Sequence, residues 1–290
     1  MPSRHIVAPA KVNLFLHVLG RRADGYHDLQ SLVVFTKFGD ELAFSVTEAE
    51  GFAGSASGSA LAGVDAAELD SIERAATLLY MLQEAPRRGF HRTLDKRIPI
   101  AAGLGGGSAD AAATLRILND LWQTRLSEAR LEALGARIGA DVPVCLRARS
   151  TIVSGIGEVL HDAPAMPAMH LVLAHTGKAL PTKRVFQTLE RTEWSKPAAL
   201  PASFGSQEAL TLFLRGTRND LTTPALRLQP QIGALLADIA HQPGCMLARM
   251  SGSGAACFGL FASEIEAFAG AEGLRQRGWW AVATISPANQ

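Results

Sequence analysis

The chain has 290 residues, 48% of them hydrophobic, with 28 Lys and Arg against 27 Asp and Glu. That length and apolar share suffice for one large domain or two modest ones. Balanced charge counts against nucleic acid as the main partner, and no uncharged apolar run approaches the ~20 residues that span a bilayer.

The three cysteines, Cys145, Cys245 and Cys257, are odd in number with no close pair. Neither a disulfide framework nor a CxxC metal site is expected, and buried thiols suit a reducing compartment. The stretch MPSRHIVAPAKVNLF reaches polar residues too quickly for a secretory signal. The expectation is a soluble, cytoplasmic protein.

In chain order, residues 12–18 and 41–47 read as strands, the second with Leu42, Phe44 and Val46 alternating. Residues 49–63, rich in Gly, Ala and Ser, read as a loop. From Ser71, the recurrence of Ile72, Ala75, Ala76, Leu79 and Leu82 predicts a helix. HRTLDKRIPI then leads into a glycine run. A helix follows over Ala109 to Trp122, with Ala112, Leu115, Leu118 and Trp122 on one stripe. Another starts at Ser127, with Leu131, Leu134 and Ile138 facing inward. The second half begins near Gly155. Residues 169–174 read as a strand, and 181–191 as a helix entered at Pro181. Residues 195–207 read as a connection, 229–240 as a helix and 256–261 as a strand. Ser263 and Glu266 form a capping-box pattern for a final helix, and 279–285 closes as a strand. The pattern predicts an α/β or α+β protein of two lobes.

The run IAAGLGGGSADAA, residues 100–112, places Gly103, Gly105, Gly106 and Gly107 before a helix. Glycine lets a backbone approach a ligand closely, and a helix start offers unpaired N–H groups and a partial positive charge. Together these make a phosphate site; the plain alternative is a tight turn packed on a neighbour. Walker A is absent. A dinucleotide fingerprint beginning at Gly103 needs glycine where Ser108 stands. The H-R-D and D-F-G elements of protein kinases are missing.

Two further stretches accompany the run: PAKVNLFLHVLGRRADGYHDLQSL (9–32) and RMSGSGAACFGLF (249–261). The three in this order resemble the GHMP kinases, the small-molecule kinase superfamily of galactokinase, homoserine kinase and mevalonate kinase. Lys11-x-Asn13-Leu14, followed by Gly20-Arg21-Arg22-x-Asp24-Gly25-Tyr26-His27-x-Leu29, resembles the branch whose substrate is a methylerythritol carrying cytidine diphosphate. The resemblance implies an α+β, two-lobed GHMP kinase fold with the active site between the lobes. Residues 1–155 would form a ribosomal-protein-S5-like, ATP-binding lobe, and 156–290 a ferredoxin-like lobe.

The resemblance implies that the ATP loop comprises Pro99, Ile100, Ala101, Ala102, Gly103, Leu104, Gly105, Gly106, Gly107, Ser108 and Ala109. Ala101 and Ala102 stand where some members have glycine, which a negative φ would permit. Ala109 stands where many have a second serine, so Mg²⁺ is implied but its ligands are not identified. GADVPV (139–144) reads locally as a cap or turn, while the resemblance makes Asp141 the catalytic base. Lys11, on an apolar strand, is an edge charge or a functional cation; the resemblance makes it the catalytic partner of Asp141. Asn13 shares its strand face and would orient substrate. Tyr26 and His27 would recognise cytidine, with Phe186 either stacking on the base or filling a core position. The Ser251–Gly254 motif would approach the phosphates or the substrate.

The expected reaction is ATP-dependent phosphorylation of the 2-hydroxyl of that cytidine-diphosphate substrate. The alternatives are a GHMP kinase for a mevalonate- or homoserine-like alcohol, or a non-catalytic nucleotide-binding protein on the same fold. The expected partner is the small molecule, not nucleic acid or membrane, with the chain a monomer or weak homodimer.

Overall fold

The computed structural model describes residues 3–59, 70–83, 88–190 and 194–289. The chain forms two compact units. The first comprises Met1–Ala10, Gly39–Ile100 and Gly105–Ala148; the second comprises Lys11–Phe38, Ala101–Leu104 and Arg149–Gln290. Strands β1 (Arg4–Arg21) and β2 (His27–Thr47) are longer than the predicted 12–18 and 41–47, and both contribute to each unit.

In the first unit β2 runs antiparallel to β4 (Gly89–Asp95), from Glu41↔Asp95 to Thr47↔Gly89. On the other side of β4 lies β3 (Phe52–Ser57), in parallel register from Phe52↔Phe90 to Ser57↔Asp95. This corrects the expected loop over 49–63, of which residues 60–63 lie outside the described ones. The segment is a strand despite its small residues because small residues are required there. A Cβ on Gly54 would stand 2.4 Å from Arg92 Cγ and 2.7 Å from its carbonyl. Phe52 anchors the strand, stacking on Phe90 at 4.8 Å and meeting Tyr80 edge-on at 5.3 Å.

Helix α1 (Asp70–Tyr80) buries Ile72, Ala75, Ala76 and Leu79 as predicted. Leu82 lies past its end and is 45% exposed. Helix α2 (Gly106–Leu121) begins three residues before the predicted Ala109, and Trp122 is its C-terminal cap. Ser127 caps α3 (Glu128–Ala136), its hydroxyl accepting the Arg130 N–H at 3.4 Å; Leu134 and Ile138 are only half-buried. The Asp141 segment turns, with Val142 N–H donating to Gly139 O at 3.1 Å, and opens a helix: α4 (Val142–Arg147), with Asp141 as N-cap and Pro143 in the first turn.

In the second unit, Leu29–Val33 of β2 pairs antiparallel with β5 (Thr151–Gly155), which pairs with β6 (Val159–Asp162). A separate four-stranded antiparallel sheet has the order β10-β7-β9-β8, formed by β7 (Met169–His175), β8 (Cys245–Met250), β9 (Cys257–Phe261) and β10 (Trp280–Ser286). Helices α5 (Thr182–Gln187), α6 (Gln207–Arg215), α7 (Thr222–Leu228) and α8 (Gln231–Ala240) fall between β7 and β8, and α9 (Glu264–Gln276) between β9 and β10. The order fourth-first-third-second with these crossovers is ferredoxin-like. Residues 195–206 carry no helix or strand, as predicted.

The core of this unit joins Val172, Ala174, Cys257 and Phe261 of the sheet to Ile232, Leu235, Ile239, Ala271 and Leu274 of the helices. Ser263 starts α9: its hydroxyl accepts the Glu266 N–H at 3.2 Å and donates to the Glu266 carboxylate at 2.9 Å. The reciprocal capping contact thus runs through the hydroxyl.

Candidate active site

In the second unit, four successive carbonyls of the glycine loop are taken by the protein. Ala101 accepts from Leu180 N–H at 3.5 Å, Ala102 from Ala256 N–H at 2.7 Å, and Leu104 from Lys11 N–H at 2.8 Å. Gly103 accepts from the Ser251 hydroxyl at 3.1 Å. The N–H groups of Gly103 and Leu104 meet no protein acceptor among the described residues, so what this stretch offers a ligand is donors. Gly103 has φ +79°, and a Cβ there would stand 2.7 Å from Ser251 O and 2.8 Å from Gly254 O. Only glycine fits so close a backbone.

In the first unit, α2 starts from Gly105 at φ +69° with no side-chain cap and no acidic residue in its first turn. An ordinary helix start draws a capping side chain or a carboxylate to its free N–H groups and dipole. Among the described residues no side chain makes that capping contact, which suits an anion from solution. Gly106, Gly107 and Ser108 belong to this first turn rather than to the loop.

Ala101 departs from expectation: its φ is +49°, in the left-handed region, not negative. A side chain there costs roughly 1–2 kcal/mol relative to glycine. Ala101→Gly is therefore expected to raise the melting temperature by about 2–4 °C, read by calorimetry; an unchanged or lower value would mean that the loop relaxes at no cost.

The third motif supports the second. The Ser251 hydroxyl also accepts from Asn13 N–H at 3.1 Å, joining β1 to the glycine loop. Asn219 holds the motif from behind, its amide donating at 2.8 Å to both Met250 O and Gly252 O. Its neighbours hold β1. Arg218 N–H donates to His17 Nε2 at 3.3 Å, and Asp220 accepts from Val18 N–H at 2.7 Å and from the Ser195 hydroxyl at 2.6 Å. Arg249 donates to Leu14 O at 2.8 Å and to Leu214 O and Thr217; burial pushes its guanidinium down to about 10.

Lys11 and Asn13 lie in β1, each 5% exposed. The orientation of the Asn13 amide follows from its network. The Ser31 hydroxyl donates to Phe15 O at 2.5 Å, so it must accept from Asn13, whose Nδ2 lies 2.8 Å away. Asn13 Oδ1 is then a buried acceptor with no hydrogen-bond partner among the described residues, a costly arrangement that a ligand donor would relieve.

Residues 22–26 form a tight turn, with Arg22 N–H donating to Tyr26 O at 2.8 Å and Gly25 at φ +88°. Tyr26 at its tip is 61% exposed. His27, first in β2, stacks on Phe186 of α5 with centroids 5.3 Å apart and planes 27° from parallel. Trp194 closes its edge at 5.9 Å. Burial first, and the Arg21 cation second, lower the His27 pKa, which favours the neutral imidazole, the form that can both donate and accept. Trp194 was not among the predicted residues, since nothing in the local sequence ties it to a histidine 167 positions away.

Asp141, in the first unit, is half-buried at the start of α4, and its carboxylate makes no capping hydrogen bond to that helix. Its local reading as a cap or turn is met by the backbone, since Asp141 holds the N-cap position and Val142 N–H donates to Gly139 O at 3.1 Å, and the carboxylate is not spent on that role. Among the described residues no group of three or more His, Cys, Asp or Glu side chains gathers to hold a metal, and no helix is long and apolar enough to cross a membrane.

Residues 70–149 match the family model of the GHMP kinases N terminal domain, and residues 206–278 that of the GHMP kinases C terminal. A 4-diphosphocytidyl-2-C-methyl-D-erythritol kinase of Cereibacter sphaeroides is 46% identical over 97% of this chain and 97% of its own. One of Rhodospirillum rubrum is 47% identical over 95% and 90%. A crystal structure of 4-(cytidine 5′-diphospho)-2C-methyl-D-erythritol kinase aligns with TM-score 0.80 and 32% identity over 97% of this chain and 98% of that one. L. major mevalonate kinase, at 15% identity over 99% and 96% and TM-score 0.74, shares the fold.

Proposed function

Because this chain belongs to the GHMP kinases, and within them to the 4-diphosphocytidyl-2-C-methyl-D-erythritol kinases, we propose that it phosphorylates the 2-hydroxyl of 4-(cytidine 5′-diphospho)-2-C-methyl-D-erythritol with ATP. The step serves isoprenoid precursor synthesis by the route that does not use mevalonate, in the cytoplasm. The observation that carries the substrate assignment is His27 seated between Phe186 and Trp194. An alcohol without a base has no use for it.

In this reading the donors of the Pro99–Ala109 stretch and of the α2 start take the triphosphate. Phosphoryl transfer demands little covalent chemistry from the protein; positioning and charge stabilisation carry it. Asp141 accepts the proton of the attacking hydroxyl, and Lys11 stabilises the carboxylate and the charge that develops. Asn13 Oδ1 accepts a hydrogen bond from a substrate donor, which relieves that cost. His27 reads the cytosine edge, with Tyr26 and Phe186 offering ring faces. Mg²⁺ fits a site without a carboxylate cage, because it is commonly held through substrate phosphates and water. Ser108 is the side chain of the first turn that would assist it, and the ion would neutralise charge on the β- and γ-oxygens.

The test is ADP release with Mg-ATP and the cytidine substrate, run beside mevalonate and homoserine. Turnover with the cytidine substrate alone is expected. Comparable turnover with either plain alcohol would overturn the cytidine assignment while keeping the kinase.

A further inference from the structure

Beneath the start of α2, in the first unit, lies a buried ion cluster that none of the roles above uses. Lys96, Asp40 and Asp110 are 3%, 0% and 1% exposed. Lys96 Nζ donates to Asp40 Oδ2 at 2.6 Å and to Asp110 Oδ2 at 2.7 Å. The other oxygen of Asp40 accepts from Arg97 N–H at 2.6 Å and Ile98 N–H at 2.8 Å. A Cβ on Gly106 would stand 3.1 Å from Lys96 Nζ, so the ammonium rests against the first residue of the helix.

The connectivity matters more than the charges. Asp40, on β2, pins the backbone immediately before the glycine loop. Asp110, on α2, lies immediately after it. Lys96 joins the two. We propose that Asp40, Lys96 and Asp110 form a staple across the base of the glycine loop, and that they are positioning residues for the ATP triphosphate. This rests on the reading of residues 99–109 as the ATP loop.

Energetics favour a positioning role over a stabilising one. A buried ion cluster is weak as a source of stability. Asp110 Oδ1 has no hydrogen-bond partner among the described residues. Desolvation pushes Asp110 up to about 7, against the pull of Lys96. For Lys96 desolvation opposes the charge, but the two carboxylates outweigh it and its pKa is raised. Such a cluster earns its place by geometry, since a displacement of ~1 Å at a reacting group can cost on the order of 100-fold in rate.

The test compares Asp110→Ala with Asp110→Asn in the full chain. ATP binding is followed by calorimetry, and turnover with the cytidine substrate gives the KM for each substrate. Asparagine retains an acceptor for Lys96 and should keep wild-type ATP affinity. Alanine opens the staple and should raise the ATP Kd and lower kcat, each about tenfold or more, with the KM for the alcohol nearly unchanged. If Asp110→Ala does not fold, Asp40→Asn carries the test: its amide turns a donor toward Lys96 and should weaken ATP in the same way. If charge alone governs the site, both Asp110 variants will bind ATP more tightly, and the staple is wrong. A folded Asp110→Ala enzyme with a lower melting temperature but unchanged ATP affinity also overturns it. Wild-type protein that binds no ATP would defeat the kinase reading itself, and the staple's role with it.

Discussion

Asp141→Asn is expected to fold with a melting temperature close to wild type and to lose about three orders of magnitude in kcat, since a positioned general base contributes roughly 10²–10⁴. Asparagine keeps the shape of the side chain and removes its negative charge and with it the capacity to take a proton. The α4 helix does not depend on this carboxylate, because Asp141 makes no capping hydrogen bond to it. ATP binding should survive, since the assigned phosphate contacts come from backbone donors elsewhere. The decisive measurement is single-turnover phosphoryl transfer with ATP and the cytidine substrate both saturating, which removes binding and product release from the rate. A variant within tenfold of wild type in that experiment would remove Asp141 from the chemistry and leave orientation by the binding residues as the main source of rate.

Gly103→Ala is expected to damage the nucleotide site more than any other single methyl group added to the chain. Two penalties combine: a left-handed φ of +79°, and a Cβ within 3 Å of the Ser251 and Gly254 carbonyls. Both obstructing groups are backbone, so neither can swing aside. The loop must shift, and a cost of roughly 2–4 kcal/mol is expected. The ATP KM should rise at least about tenfold, as expected when phosphate donors are displaced by a fraction of an ångström or more. Gly107→Ala is the control. Its added methyl would meet nothing closer than Ser71 Oγ at 3.6 Å, and alanine suits a helix better than glycine by ~0.5–1 kcal/mol. It should be neutral or slightly stabilising in a thermal melt. Equal damage from both substitutions would mean that the helix start, not the 101–104 turn, tolerates no side chain.

Many of the helices and strands legible in the sequence have regular apolar spacing, as in α1, α2, α3, α8, β7, β9 and β10, while α9 was legible from its Ser263–Glu266 capping box and α5 from its Pro181 entry. Strand β3 was not, because the Gly54 that allows close approach to Arg92 is also what makes FAGSAS look like a loop. The start of α2 was misjudged for a related reason. Glycine is a poor helix former, yet Gly106 and Gly107 are helical because the loop before them is anchored. Within the candidate site, the three motifs were visible as separate strings, and the Ser251 bridge between Asn13 and Gly103 is what their co-occurrence meant. Trp194 and the Asp40–Lys96–Asp110 cluster carry no local signal. Their partners lie 14 to 167 positions away, and a lysine or aspartate in a polar stretch looks the same whether it is solvated or buried.

Arg218, Asn219 and Asp220 have an evolutionary consequence. Three consecutive residues hold three different targets: the His17 ring, the carbonyls of Met250 and Gly252, and the Val18 N–H. Inserting or deleting one residue moves neighbouring Cα atoms by about 3.8 Å, more than any of these hydrogen bonds can stretch, so all three anchors would miss together. The length of the segment therefore cannot drift. The opposite holds between Ala198, tied to Gln30, and Ser203, bridged to Ala165. No helix or strand runs through that stretch, and surface connections absorb insertions readily. Changes in chain length among descendants of this protein will therefore accumulate in the 199–202 connection and be purged from 218–220.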